Sequence, residues 1–264
     1  MNYYQRNTLL GLPVNNISKR EVYSELQQCI EQKDKLLIYG LCVGSMARLK
    51  EKKRNLPFLL SKFDLIVPDG SAIPLLGKIF KVQVNETIPI TELSLDCLRL
   101  ANERRLTVFL FGASEEMNSQ AIVNLRKKFP DAIIPDGING YYNKEEEPKI
   151  VERINSTKPD ILLIGMSYPL KEEFAVKFSG KLYPSIIIPC GGAIDVFAGK
   201  TKRPPRIIKK LMLTWIYRWI QEPERLSIKD DLRFLFFTFP ILFLKHLLNI
   251  EKNPSLLKHY GIKQ

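Results

Sequence analysis

A chain of 264 residues that is 45% hydrophobic and 26% charged can bury one full core plus an appendage, and is too apolar to be disordered throughout. Its formal net charge is +12, of which +9 lies beyond Gly199, where 14 Lys and Arg stand against 5 Asp and Glu; such a basic tail points to a polyanionic partner. The two histidines, His246 and His259, both lie in that tail, and Cys29, Cys42, Cys97 and Cys190 form no CxxC pair, which argues against a Ser-His-Asp triad or His-based zinc site in the main body.

Met1–Leu12 carries Asn, Gln and Arg and no continuous apolar stretch, so it does not read as a signal peptide; with unpaired cysteines, this predicts a protein retained in the reducing cytoplasm. Short apolar runs then alternate with amphipathic stretches. Strands are predicted at Leu36–Tyr39, Leu65–Val67, Thr107–Phe111, Ala132–Pro135, Ile161–Ile164 and Ser185–Ile188, and helices at Lys19–Gln32, Glu92–Arg104, Glu115–Phe129 and Glu145–Asn155. The alternation predicts an α/β fold with a Rossmann-like parallel sheet over residues 1–199.

Several predicted strands end in small-residue loops: Pro68-Asp69-Gly70, Gly112-Ala113-Ser114, Gly165-Met166-Ser167 and Cys190-Gly191-Gly192-Ala193. Ligands of open α/β sheets bind at such carboxyl ends, where glycine admits close approach and a following helix favours phosphate. Taken singly, each loop also reads as an ordinary strand-to-helix turn. Asp69 follows an apolar strand directly, so its carboxylate can project into a cleft as a general base, or simply cap a turn or helix. Asp195 has the same two readings, ligand orientation or turn capping.

Beyond Gly199 the chain changes character. Thr201–Arg206 is a basic, proline-rich hinge, and Ile207–Gln221 is predicted as a helix with Trp215, Tyr217 and Trp219, ending before Pro223. Asp231–Leu248 contains an uncharged run, Phe234–Leu244, too short to cross a bilayer, with Pro240 opposing one straight helix. Residues 200–264 thus read as a helical appendage with an interfacial segment; a core or dimer contact is the other reading of that run. Lys200, Lys202, Arg203, Arg206, Lys209, Lys210, Arg218 and Arg225 lie around the interleaved aromatics, a composition suited to anionic headgroups or a diphosphate.

Phe109-Leu110-Phe111-Gly112-Ala113, Asn139-Gly140-Tyr141-Tyr142, Lys158-Pro159-Asp160-Ile161-Leu162, Gly191–Gly199, Lys202-Arg203-Pro204-Pro205, Trp215-Ile216-Tyr217-Arg218 and Gln221-Glu222-Pro223-Glu224-Arg225 follow one another in fixed order. The series, from about Leu9 to Arg233, resembles the WecG/TagA/CpsF family of bacterial glycosyltransferases (glycosyltransferase family 26). The resemblance implies inverting, metal-independent transfer of a sugar from a UDP-sugar to an undecaprenyl-diphosphate-linked acceptor, in capsule, exopolysaccharide or teichoic-acid synthesis. It further implies an appendage docked peripherally on the cytoplasmic face of the inner membrane. Its proposed base falls on Asp69. The donor is expected at Gly112, Ala113, Ser114, Asn139, Gly140, Tyr141, Lys171, Gly191, Gly192 and Asp195, and phosphates at Arg203, Arg218 and Arg225, with no metal or other cofactor.

Departures from the family pattern mark the substrate side. Gly40-Leu41-Cys42-Val43-Gly44 replaces a Thr-x-Asn signature, Thr87 replaces an Arg with Glu92 in an Asp position, Lys171 replaces a Gln, and Thr214 a Glu. A donor or acceptor different from that of the N-acetylmannosamine-transferring members fits these changes, with glucose and glucuronate among the donors considered and Lys171 supplying the cation lost at Thr87 or reading a uronate. They also fit an inactive scaffold of a partner transferase. Nucleic-acid binding rests on charge alone, without a helix-turn-helix, RRM or KH pattern, and no nucleic-acid partner is expected. The sequence leaves a homo-oligomer open.

Overall fold

In the computed structural model, which describes residues 4–48, 56–202, 205, 207–208, 214–221, 232, 236–237 and 239–247, the chain opens with an antiparallel hairpin, β1 (Arg6–Leu9) and β2 (Leu12–Asn15). Its turn residues Leu10 and Gly11 both take positive φ, 51° and 82°, the type I′ geometry that matches strand twist. Helix α1 (Lys19–Gln32) begins at Ser18, where a reciprocal Ser18–Glu21 capping box satisfies two orphan donors. Val22, Leu26 and Cys29 recur on its buried face.

Five parallel strands follow: β3 (Leu36–Leu41), β4 (Leu65–Pro68), β5 (Val108–Gly112), β6 (Ile161–Gly165) and β7 (Ile186–Pro189), in the order β4-β3-β7-β6-β5. Side-chain alternation sorts them into two cores. Val108, Leu110, Ile161 and Leu163 face one layer with α1, α5 (Ile90–Arg104), α6 (Glu115–Lys128) and α9 (Ala193–Ala198). Phe109, Phe111, Leu162 and Ile164 face the other, with α2 (Val43–Ala47), α3 (Leu56–Leu60), α4 (Ala72–Ile79), α7 (Glu147–Ser156) and α8 (Leu170–Phe178). Burial on both faces explains why these strands are near-continuous apolar runs. The expected α/β fold with a parallel sheet is therefore the one formed.

Ala132–Pro135 is the exception. It forms no strand; the chain touches the β5 edge only through the bridges Thr107–Ile133 and Phe111–Ile138. Pro135 has no N–H to donate, and at the second bridge Asn118 of α6 donates to the carbonyls of Gly112 and Ile138 at 2.8 and 3.1 Å. A Cβ on Gly137 would lie 2.3 Å from Asn118 Oδ1, so this crossing requires glycine there.

At the opposite edge the hairpin shields β4: Asn15 Oδ1 accepts from Ile66 N at 2.8 Å, and Arg6 donates to the carbonyls of Phe63 and Asp64. After Gly199 the described helices are Thr214–Gln221 and Phe239–Leu247, with Pro240 in the first turn of the second, where it is tolerated. Gln221 exchanges two hydrogen bonds with the Lys202 backbone, and Phe239 meets Phe80 edge-on with centroids 6.4 Å apart. No described helix is long and apolar enough to cross a membrane.

Candidate functional site

Strand order creates a crevice. From β3 the chain steps outward to β4, crosses to β5 at the far edge, and returns through β6 to β7 beside β3. Connections leave β3 and β7 in opposite directions, so their carboxyl ends part and leave room for a ligand. Along that rim stand Asp69 after β4, Cys42 after β3, Gly191 and Gly192 after β7, the Gly165–Lys171 segment after β6, and Gly112–Ser114 after β5.

Asp69 is half-buried and fixed from both sides. Its N–H donates to the Leu41 carbonyl at 2.7 Å, and its Oδ1 accepts from Ile90 N at 3.2 Å. Ile90 opens α5, whose preceding residue, Pro89, supplies no side-chain cap. The carboxylate therefore serves an orphan helix N–H belonging to another segment, while standing at the sheet end. Of the two readings of Asp69 from sequence, capping is the one this hydrogen bond shows, with the cap serving a helix distant in the chain. A side chain on Gly40 would crowd it: a Cβ there would lie 3.1 Å from Asp69 Cβ. Thr87 precedes Ile88, whose N–H bonds the Pro68 carbonyl at 2.7 Å, so the altered family position borders this turn.

The predicted donor loops assemble at the other half of the rim. Gly112 takes φ +135° with the Gly165 backbone too close for any Cβ, Ala113 N donates to Gly165 O at 2.9 Å, and Gly140 N to Ala113 O at 2.8 Å. Ser114 spends its hydroxyl capping α6 through Met117 N, and Glu115 and Glu116 occupy that helix's first turn. Two carboxylates there oppose the helix dipole's attraction for a diphosphate. Asn139 is tied to Glu115 by its amide and to Tyr141 N by its Oδ1, leaving the Tyr141 ring 81% exposed. Asp195 is buried in the first turn of α9, where its carbonyl accepts from Lys200 N and Thr201 N.

Between these halves lies a group that sequence reading assembled only in part. Lys171 packs beside Gly191, its Cε 3.7 Å from where a Cβ would stand, and its Nζ pairs with Glu172 Oε1. Lys171 Nζ and Arg48 Cζ flank the Tyr168 ring at 6.0 and 4.7 Å from its centroid. Below them the buried Tyr39 hydroxyl meets Ser45 Oγ at 2.9 Å; burial holds that phenol well above its ordinary pKa, and the Glu172 carboxylate adds to the effect. Lys171 and Glu172 stand in the Pro169-Leu170-Lys171-Glu172 segment that replaces the family's Pro-Lys-Gln-Glu, whereas Arg48, which follows α2 after β3, reaches Tyr168 from a distant part of the chain with no motif to betray it. Gly191 follows β7 and Asp69 follows β4, so the strand ends that carry them lie two strand spacings, about 10 Å, apart along the sheet end.

Of the expected phosphate ligands, Arg218 lies in the helix Thr214–Gln221, and Arg203 and Arg225 fall outside the described residues. Among the described residues no three His, Cys, Asp or Glu side chains gather as a metal set.

Asp69 and Lys171 thus both stand along the carboxyl rim of a doubly wound α/β sheet, the edge at which proteins of this architecture bind their ligands. The chain belongs to the glycosyl transferase WecG/TagA/CpsF family, whose model matches residues 7–249. It is 32% identical over 169 residues to the N-acetylglucosaminyldiphosphoundecaprenol N-acetyl-beta-D-mannosaminyltransferase of Staphylococcus aureus strain MW2, which covers 64% of this chain and 66% of that protein. The relatives of the same name from strains MRSA252 and NCTC 8325 / PS 47 match with the same identity and coverage. The similarity thus spans just under two-thirds of these relatives' length.

Proposed function

We propose that the protein is an inverting glycosyltransferase that moves a hexose-type sugar from a UDP-sugar to an undecaprenyl-diphosphate-linked saccharide, with Asp69 as the general base. The observation that carries this is the placement of Asp69: a carboxylate immobilised by Leu41 and Ile90 at the end of β4, beside the crevice of a sheet belonging to this family. In the reaction the acceptor hydroxyl oxygen bonds the anomeric carbon as the bond from that carbon to UDP breaks, and its proton passes to the Asp69 carboxylate. Negative charge develops on UDP, and Arg203, Arg218 and Arg225 are the side chains assigned to it, without a metal. Gly112–Ser114, Asn139–Tyr141, Lys171, Gly191, Gly192 and Asp195 line the donor side.

The split into a catalytic core, 1–199, and a basic aromatic appendage, 200–264, belongs to the same reading. Phe236, Phe237, Ile241 and Leu244 are exposed, an apolar surface suited to a peripheral site on the cytoplasmic face of the inner membrane. N-acetylmannosamine, which the relatives' name carries, glucose and glucuronate are the donors to compare.

The test is UDP release from a panel of UDP-sugars with polyprenyl-diphosphate-linked acceptors. Wild-type protein is expected to turn over one pair, with activity surviving EDTA. Asp69→Asn is expected to lose about 100- to 10,000-fold while keeping its melting temperature, since an amide oxygen still accepts from Ile90 N but takes up no proton. Acceptor-dependent release by Asp69→Asn at the wild-type rate would refute the assignment of the base. No release with any pair, from folded protein that binds anionic vesicles, would favour a scaffold instead.

A further inference from the structure

Glu172 is a carboxylate with no exposed surface, set in the first turn of α8, the helix that follows β6. A buried charge is costly unless paired, and its pairing here is one-sided: Oε1 holds Lys171 Nζ, while Oε2 has no hydrogen-bond partner. Lys171 in turn keeps 15% of its side-chain surface and lies against the Gly191 turn, at the mouth of the crevice. An ammonium on a four-carbon stem is ordinarily free to swing, and Glu172 removes that freedom.

Resting on the glycosyltransferase reading, we propose that Glu172 is a positioning residue that fixes the Lys171 ammonium beside Gly191, so that this part of the crevice takes an anionic oxygen group of the nucleotide-sugar donor. Three features carry the inference. The pair sits on the rim between the donor loops and Asp69, so a donor with its anomeric carbon near Asp69 passes Lys171. Arg48, which also meets the Tyr168 ring, places a second cation near Lys171. Gly191 brings no side chain between the ammonium and a ligand. The anionic group is either the donor diphosphate or the carboxylate of a uronic acid, and both present the same chemistry to an ammonium.

Calorimetric titration of the full chain with pyrophosphate, UDP, UDP-glucose and UDP-glucuronate distinguishes the two sources. If the diphosphate is read, Lys171→Gln weakens pyrophosphate, UDP and both sugars about tenfold or more alike. If a carboxylate is read, UDP-glucuronate alone weakens, and its advantage over UDP-glucose disappears. In either case Glu172→Gln weakens the same ligands, Lys171→Arg retains most of the affinity, and Glu172→Gln adds little in the Lys171→Gln background, because positioning needs something to position. Melting temperatures screen out misfolded variants, and the double variant, which buries no unpaired charge, is the fold control for the Lys171→Gln single. The proposal is overturned if folded Lys171→Gln and Glu172→Gln bind all four ligands as wild type does, or if wild-type protein binds none of them. The catalytic reading fails separately, through acceptor-dependent turnover that Asp69→Asn leaves intact.

Discussion

Cys42 stands where a strand end turns into α2, half-buried, with Sγ 3.5 Å from Ser45 Oγ. The other three thiols are inside the core; burial pushes Cys29 up to about 12 and Cys97 higher still, leaving almost no thiolate at neutral pH. Iodoacetamide at pH 8 is therefore expected to modify Cys42 rapidly and the other three only after denaturation, with peptide mass mapping as the readout. Rapid labelling of a second cysteine in native protein would contradict the packing described for it. Asp69 shows what residue-level reading achieves and where it stops. The sequence placed it after a strand and offered two roles; only the fold revealed that the N–H it caps belongs to α5, 21 residues away.

At the scale of elements, legibility followed local signals. Helix α1 was readable end to end because Ser18 and Glu21 cap it within four residues and its apolar positions repeat at helical spacing. The β1–β2 hairpin was not read, because Leu10-Gly11 lacks the Asn or Asp that usually advertises a type I′ turn, and each strand is only four residues long. The hairpin nonetheless closes the β4 edge, and Asn15 is its buried link. Asn15→Ala should leave Ile66 N without its acceptor and destabilise the protein by about 1–3 kcal/mol in urea denaturation, with the m-value unchanged. A loss under half a kcal/mol would mean that the edge finds another acceptor. Ala132–Pro135 was apolar enough for a strand, yet Pro135 lacks an N–H and the stretch from Ile133 to Ile138 is one residue longer than Thr107 to Phe111 on the facing edge, a mismatch no window of sequence holds.

For the molecule as a whole, charge and apolar surface collect on the same appendage. Phe236 and Phe237 are each about two-thirds exposed, while Phe239 packs on Phe80 at the end of α4, the helix that begins three residues after Asp69. Exposed aromatics on an appendage rich in Lys and Arg are expected to dock on anionic lipid. Phe236→Ser with Phe237→Ser should lower partitioning onto phosphatidylglycerol vesicles about tenfold or more in flotation, while the melting temperature and turnover of a short-chain soluble acceptor stay as in wild type. Unchanged flotation would move the contact elsewhere on the appendage.

By itself the sequence determined the α/β class, four of the main helices, the strand ends that bear Asp69, Gly112 and Gly191, and the family, because periodicity, capping and ordered motifs are local or linear properties. It did not determine that β7 returns to lie beside β3, since strand order depends on which faces bury together across the whole chain. That ordering makes the crevice. It also brings Arg48 onto the ring of Tyr168, more than a hundred residues further along the chain, and buries Glu172, whose carboxylate then needs the cation that its neighbour Lys171 supplies.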